Sequence, residues 1–558
     1  MLQIVLTLVI FILLIIPLGI YLYHIATNQK TFADPVFNKI DGVIYKICGI
    51  DDKKEMNWKQ YIIALVITNA VMVFVGYLML RIQFLPVFNP NGIEAMEASL
   101  SFNTIISFIT NTNLQHYAGE SGLSYLSQMM VIIYMMFTSA ATGYAACVAF
   151  LRGLAGDRNT LGNFYADLVK ITTRVLLPLS IIIGLFLIAQ GVPQTLDGTA
   201  TVITIEGTLQ DIARGPIAAL ESIKHLGTNG GGFLGANAST PLENPTILTN
   251  MVEMISMMVI PGALVITFGL MIKNKKQSWI IFGAMAIIFV IGLSVCFSAE
   301  HAGNPILKDI GLTQSMGNME GKELRFGIDQ STLFTTVTTS FTTGSVNNMH
   351  DSLTPLGGLI PMLHMMLNCV FGGEGVGLMN MLMYAMLTVF ICGLMVGRTP
   401  EFLSKKIEGK EMKLIALAII IHPLLILGFS ALAVSTAAGL EGLTNPGFHG
   451  LSQVLYEFAS SAANNGSGFE GLVDNSVFWN VTSGVAMFLG RYLSMTILLA
   501  VAGSLAVKRP VSASVGTLRT DNVMFMFLLV LIVYIIGALT FFPSLALGPI
   551  AEHLTLWF

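Results

Sequence analysis

Charge is scarce in this chain: 11% of its residues are Asp, Glu, Lys or Arg, against about 25% in soluble globular domains. With 54% hydrophobic residues and a mean hydropathy of +0.74, that shortage excludes an ordinary water-soluble fold and places the sequence among membrane proteins. No basic cluster is longer than a few residues. Lys53 with Lys54, and Lys273 with Lys275 and Lys276, are the densest, so nothing here resembles a nucleic-acid footprint. The five cysteines, Cys48, Cys147, Cys296, Cys369 and Cys392, form no CxxC or other metal spacing and read as small apolar filler. HExxH is absent, and Asn465-Gly-Ser-Gly468 does not complete a GxSxG. Neither a GxxxxGK[ST] phosphate loop nor a DKTGT phosphorylation motif occurs, so the chain by itself is not expected to be an enzyme or to use ATP.

What the sequence has is apolar length. Ten segments, at 2–23, 61–80, 126–151, 171–190, 248–272, 278–298, 356–397, 414–438, 477–507 and 522–547, are each long enough to span a bilayer. The first lacks a basic flank and a small-residue cleavage site, so it is expected to be a retained helix. With the N-terminus outside, most of the 28 lysines and arginines fall on the inner side, and only Arg81, Arg214, Lys224, Lys308, Lys322 and Arg325 lie outside. Basic residues favour the cytoplasmic face, which predicts both termini to be extracytoplasmic. Glu55, Glu408 and Glu411 read as solvated loop charges.

Four of the outer segments are too polar to span, yet resemble one another: Ser107–Gln115, Lys224–Phe233, Ser340–Asn347 and Ser460–Phe469. With Asn111, Asn229, Gly344 and Gly466 as markers, they recur about every 120 residues. The unit is a span, a short helix, a Gly/Asn/Thr/Ser strand and a second span. The short helices are expected at 93–108, 211–226, 330–341 and 450–462. Four units use eight spans. They give an all-α membrane fold with pore repeats at 61–152, 170–276, 278–398 and 413–509. An extra helix stands at each end, in 1–60 and 520–558. Such loops suit a cation filter: backbone carbonyls replace the ion's water shell, and glycine, then asparagine, tolerates the positive φ that aligned carbonyls require. The C-terminal ends of the short helices would aim partial negative charge at the ion. The candidate filter residues are Asn111, Thr112, Thr228, Asn229, Gly230, Gly231, Gly232, Thr343, Gly344, Ser345, Asn464, Asn465, Gly466 and Ser467.

At these loops, and at Met349-His-Asp-Ser352 and Gly397-Arg-Thr-Pro-Glu401, the whole chain resembles the potassium-binding A subunit of Kdp-type potassium-transporting ATPases. The ten-span layout fits too, because the Trk, Ktr and HKT relatives usually keep only the eight core spans. The resemblance implies a prokaryotic plasma-membrane complex in which this subunit holds K+. A separate P-type ATPase, the B component, would hydrolyse ATP, and small C and F components would complete the assembly. It also implies a selectivity role for Gln115 and an ion path that turns sideways below the filter. An autonomous Trk/Ktr-like potassium transporter is the alternative, and a passive scaffold for the ATPase a further one.

Three charged residues remain. Phe371–Gly377 interrupts the 356–397 segment and reads as a broken transmembrane helix, which makes Glu374 an intramembrane carboxylate on the ion path or one paired locally. Arg398 opens a predicted cytoplasmic turn, as a membrane anchor or as a coupling contact. Arg491 falls near the middle of the 477–507 span, either as a barrier to cations below the filter or as a structural arginine on freed carbonyls.

Overall fold

The structure is a computed structural model that describes all residues except 1, 157–158, 396, 398–399, 513–516 and 558. Among the described residues, ten helices are long and apolar enough to cross a membrane. Eight of them form four units, each with a short helix and an irregular loop between its two spans. In the first unit Trp58–Arg81 and Tyr125–Ala155 bracket Ala98–Ile109. In the second, Phe164–Ala189 and Ile247–Met271 bracket Ile217–Leu226. Gly327–Ser340 follows Lys275–Ala302 in the third, and Phe448–Ala463 lies between Gly409–Val434 and Val477–Ala506 in the fourth.

Burial separates the two spans of each unit. In the first, 28% of the most apolar window of the leading span is buried against 83% for the following one; in the fourth the shares are 33% and 56%. The following spans therefore line the centre, and the leading spans face outward. Small residues allow this close approach: Ala140, Ala141, Gly143, Ala145 and Ala146 are all buried in Tyr125–Ala155. The first span, Leu2–Ala26, is an addition locked onto Ile247–Met271. A Cβ on Gly19 would stand 2.7 Å from Ile266 Cβ, and the Thr267 hydroxyl donates to Gly19 O at 3.0 Å. The last, Val523–Leu545, packs on the third unit, where a Cβ on Gly537 would come within 2.5 Å of Leu367 Cδ2.

The 356–397 segment is two helices, Pro355–Leu367 and Val376–Met395. The break begins earlier than the glycine run suggests, because Asn368 itself turns left-handed (φ 45) and ends the first helix. Phe371 (φ 60), Gly372 (φ 61) and Gly375 (φ 81) keep the chain out of helical geometry until Val376.

Other expectations are corrected. The second short helix starts at Ile217, not 211, because Leu209–Ile212 pairs with Ala200–Ile203 in an antiparallel hairpin. The first starts at Ala98, where the Glu97 carboxylate accepts from Leu100 N at 2.9 Å. Glu411 is buried rather than solvated: it accepts from Lys508 Nζ at 2.7 Å and from Ser504 Oγ at 2.5 Å. An amphipathic helix at Asp34–Cys48, absent from the expected layout, joins the first two spans.

Candidate functional site

Each short helix runs into a residue with left-handed backbone: Asn111 (φ 63), Thr228 (φ 48), Thr342 (φ 50) and Asn464 (φ 56). A second positive φ follows at Asn113 (57), Gly231 (70), Gly344 (90) and Gly466 (107). Asparagine and glycine carry most of these positions because they adopt this geometry at least cost. The second loop has one residue more between its two turns than the others: its first turn, at Thr228, matches Asn111, while its second, at Gly231, keeps the offset that pairs Asn229 with Asn111.

The four loops meet at one place. A Cβ on Gly230 would lie 2.8 Å from Thr112 O, 3.1 Å from Gly466 Cα and 3.2 Å from Asn465 O. One on Gly344 would collide with Asn465 O, and one on Gly466 with Thr112 O. Backbone from all four units thus crowds a spot where any side chain would obstruct.

Most polar side chains of these loops bond to other loops or to the short helices beside them. Asn111 donates to Gly227 O and Thr228 O (3.1 and 2.9 Å), and its own oxygen accepts from Asn229 Nδ2 (2.7 Å) and Ser139 Oγ (2.8 Å). Gln115 clamps Gly232 at both ends: Nε2 donates to Gly232 O at 3.0 Å, and Gly232 N donates to Oε1 at 2.9 Å. Asn464 Nδ2 reaches Thr112 Oγ1 (3.0 Å) and Met487 O (2.9 Å), and Asn465 Nδ2 reaches Thr338 O (3.0 Å). Ser345 Oγ meets His225 Nε2 at 2.8 Å, while Ser467 Oγ meets the Tyr456 hydroxyl at 2.8 Å, itself 2.7 Å from His350 Nδ1. Thr343 Oγ1 is buried and makes no hydrogen bond.

Two charges lie at one end of this assembly. The broken-helix segment sits against loops two and three: Glu374 N donates to Thr228 Oγ1 at 3.0 Å, and a Cβ on Gly373 would stand 3.4 Å from Thr342 O. Glu374 is fully buried and neither carboxylate oxygen is hydrogen-bonded. Arg491, 5% exposed, reaches across to the inner span of the first unit, where Nη2 donates to Ser139 O at 3.2 Å. A Cβ on Gly143 would be 2.6 Å from that nitrogen and 2.9 Å from Glu374 O, so the two groups share one neighbourhood. Ser139 connects Arg491 to loop one through Asn111. Arg398 lies outside the described residues.

At the other end, His116 binds the first unit to the fourth. Its Nδ1 lies 2.7 Å from Asn480 Oδ1, and its Nε2 lies 3.3 Å from Glu457 Oε1 and 3.7 Å from Asp474 Oδ2. Burial alone would lower the His116 pKa, but the Asp474 and Glu457 carboxylates outweigh it and raise it to about 9.

Residues 5–554 match the family described as the potassium-transporting ATPase A subunit. The chain belongs to this family. It is 64% identical over 555 residues to the potassium-transporting ATPase potassium-binding subunit of Clostridium acetobutylicum, covering all of both chains. It is 57% identical to the subunit of the same name from Geobacillus kaustophilus, covering 98% of each. The fold is also that of the potassium transporter TrkH from Vibrio parahaemolyticus: the TM-score is 0.54 at 15% identity, over 87% of this chain and 97% of that one.

Sequence reasoning passes over several groups that an A subunit of this kind builds behind its loops. Lys224 reads as an outer-loop cation, yet it is buried between Glu221 (2.6 Å) and Glu243 (3.0 Å). Glu243 in turn accepts from Leu234 N at 2.6 Å and holds the chain just after Gly232. The available signal is Glu221, Lys224 and His225 together in a helix otherwise expected to be buried, since charges there require partners.

Proposed function

We propose that the ring formed by Thr112, Gly230, Gly344, Asn465 and Gly466, with the surrounding candidate residues, is the potassium filter of this subunit. The convergence of four left-handed loops on one spot carries the reading, because backbone carbonyls held there replace a dehydrated ion's water shell. The side chains of Asn111, Gln115, Asn229, Ser345, Asn464 and Ser467 then act from behind, fixing the width of the ring through bonds between loops. The functional divisions of the chain are the four pore repeats at 61–152, 170–276, 278–398 and 413–509 and the two end helices.

A cation leaving the ring toward the inner side meets Arg491, whose guanidinium stays charged at any physiological pH. It also meets Glu374, whose unpaired buried carboxyl favours a cation nearby. The straight exit is opposed, and the path bends along the broken helix of the third repeat toward an ATP-hydrolysing partner. We assign that role to the P-type ATPase B component, with the small C and F components in the same plasma-membrane complex, and we place both termini on the extracytoplasmic side.

The test is potassium-stimulated ATP hydrolysis by the reconstituted complex, with this subunit present or omitted. Stimulation that needs the subunit supports the assignment. Growth rescue of potassium-uptake-deficient cells by this chain alone would replace it with an autonomous transporter.

A further inference from the structure

The Asp34–Cys48 helix joins the ends of the first two spans, and its two long faces differ in chemistry. One face carries Asp34, Asn38 and Asp41, and all three bond one guanidinium. Arg174 Nη1 donates to Asp34 Oδ1 at 2.9 Å, Nη2 to Asn38 Oδ1 at 2.8 Å, and Nη2 and Nε to Asp41 Oδ2 at 2.6 and 2.9 Å. Thr173 Oγ1 donates to the remaining Asp41 oxygen at 2.7 Å. Asp41 is the buried residue of the helix, so this face is fixed to the protein.

The opposite face is Val36, Ile40, Val43 and Ile47, at the spacing of one helical stripe. These side chains are 61, 43, 58 and 78% exposed. Lys39 and Lys46 border one edge of the stripe, and Lys30 stands in the turn before the helix. The helix is also held at a definite depth. Arg174 O accepts from the Tyr21 hydroxyl at 2.9 Å, and Tyr21 lies near the end of the first span. The stripe therefore sits level with the ends of the spans rather than beyond them. Ile16 and Ile20 in the first span and Leu177 and Ile181 in the fourth are likewise exposed aliphatic residues.

We propose that this helix lies in the membrane interface: its aliphatic stripe reaches the acyl-chain boundary of one leaflet, and Lys39 and Lys46 pair with anionic lipid headgroups. An amphipathic helix with an apolar face bordered by lysines has the chemistry of that layer. A dry contact with another protein helix would leave the lysines without partners. By the distribution of basic residues, the leaflet is the cytoplasmic one. The three-residue clamp on Arg174 then ties a lipid-anchored helix to the outer span of the second repeat.

The experiment uses the assembled complex in nanodiscs, with Val43→Cys carrying an NBD fluorophore in a Cys48→Ser, Cys392→Ser background. The label is expected to be quenched by brominated acyl chains and protected from aqueous iodide. Quenching by brominated phosphatidylglycerol is expected to exceed that by brominated phosphatidylcholine about twofold, a preference that Lys39→Gln with Lys46→Gln abolishes. Quenching mainly by iodide puts the helix in water and overturns the proposal. Protection from both quenchers means a partner protein covers the stripe, which overturns it equally. Equal quenching by the two lipids in the unmodified helix removes the headgroup contact. If the Val43→Cys complex fails to assemble, Ile47→Cys makes the same measurement.

Discussion

Replacing Gly466 with alanine probes the ring where it is tightest. The residue has φ 107, and an added Cβ would run into the Thr112 carbonyl of the first loop. A left-handed alanine costs about 1–2 kcal/mol, and overpacking against backbone adds about 1–3 kcal/mol. Neither contact can relax by side-chain rotation, since the colliding atom is backbone. The sum, about 2–5 kcal/mol, falls on the ion-bound geometry and corresponds to roughly a thirtyfold to several-thousandfold rise in the potassium concentration giving half-maximal ATP hydrolysis. Gly468, two residues on, is the control: it has no positive φ in the left-handed range, and a Cβ there meets nothing within 4 Å. Gly468→Ala should leave half-saturation within about twofold, inside the usual spread for an unhindered substitution. Both variants would be purified as complexes, checked for subunit content by gel filtration, and titrated with potassium. A Gly466→Ala complex with unchanged half-saturation, or a Gly468→Ala complex equally impaired, would refute the argument from convergence.

Further outcomes follow from the groups around the ring. Gln115→Leu removes both bonds to Gly232 and strands its N–H and carbonyl, a loss of about 2–4 kcal/mol; half-saturation should rise at least tenfold and discrimination against rubidium narrow, with Gln115→Glu intermediate. His225→Ala leaves the Ser345 hydroxyl with only its 3.3 Å bond to Asn237 Oδ1, so the ratio of potassium to ammonium stimulation should fall while the maximal rate changes less; His225→Gln should restore part of that ratio, whereas equal loss in both variants would mean a purely structural role. Repulsion between Arg491 and a cation about 8 Å away is about 2 kcal/mol at an effective dielectric of 20, so Arg491→Gln should increase passive potassium leak from proteoliposomes tenfold or more. Because His116 has a raised pKa, its contribution to stability is fully present below its ordinary value near 6.5 and is lost as pH rises through about 9. The melting temperature of the complex should drop across that window, and the drop should shrink in His116→Gln.

The spans and the fourfold unit are legible in the sequence because both are periodic signals: apolar length recurs ten times and the Gly/Asn/Thr/Ser loops four times. Loop register is harder. The second loop holds one residue more between its left-handed turns, so its second turn, at Gly231, keeps the Asn111–Asn229 offset while its first falls on Thr228, a residue type with no preference for it, where Asn111 donates to Gly227 O and Thr228 O. The Asp34–Cys48 helix escapes notice because it is too short and too mixed to register as apolar length. What makes it a helix face is the bonding of Asp34, Asn38 and Asp41 to Arg174, a partner more than a hundred residues away. Glu411 and Lys224 mislead for the same reason: a charge beside an apolar run reads as solvated until its partner, Lys508 or Glu243, is known.

The four units lie in one chain, and this permits an asymmetry that four identical subunits would forbid. In a symmetric tetramer any charge beneath the ring recurs four times, so its field keeps the symmetry of the axis and favours no one side. Here the third unit alone contributes the broken helix with Glu374, and the fourth alone contributes Arg491. The two groups differ in sign and bond to different units, Glu374 N to Thr228 of the second and Arg491 to Ser139 of the first, although both border Gly143. On the proposed path, such a pair would give the field below the ring a direction. A cation there would be drawn toward the carboxyl and turned from the guanidinium. A free channel gains nothing from such a bias, because conduction down a gradient is fastest along the axis. A subunit that must deliver each ion to a partner hydrolysing ATP requires it, since any ion passing straight through would dissipate the gradient the complex builds. On this reading the loops select the ion, and the Glu374–Arg491 pair decides where it goes.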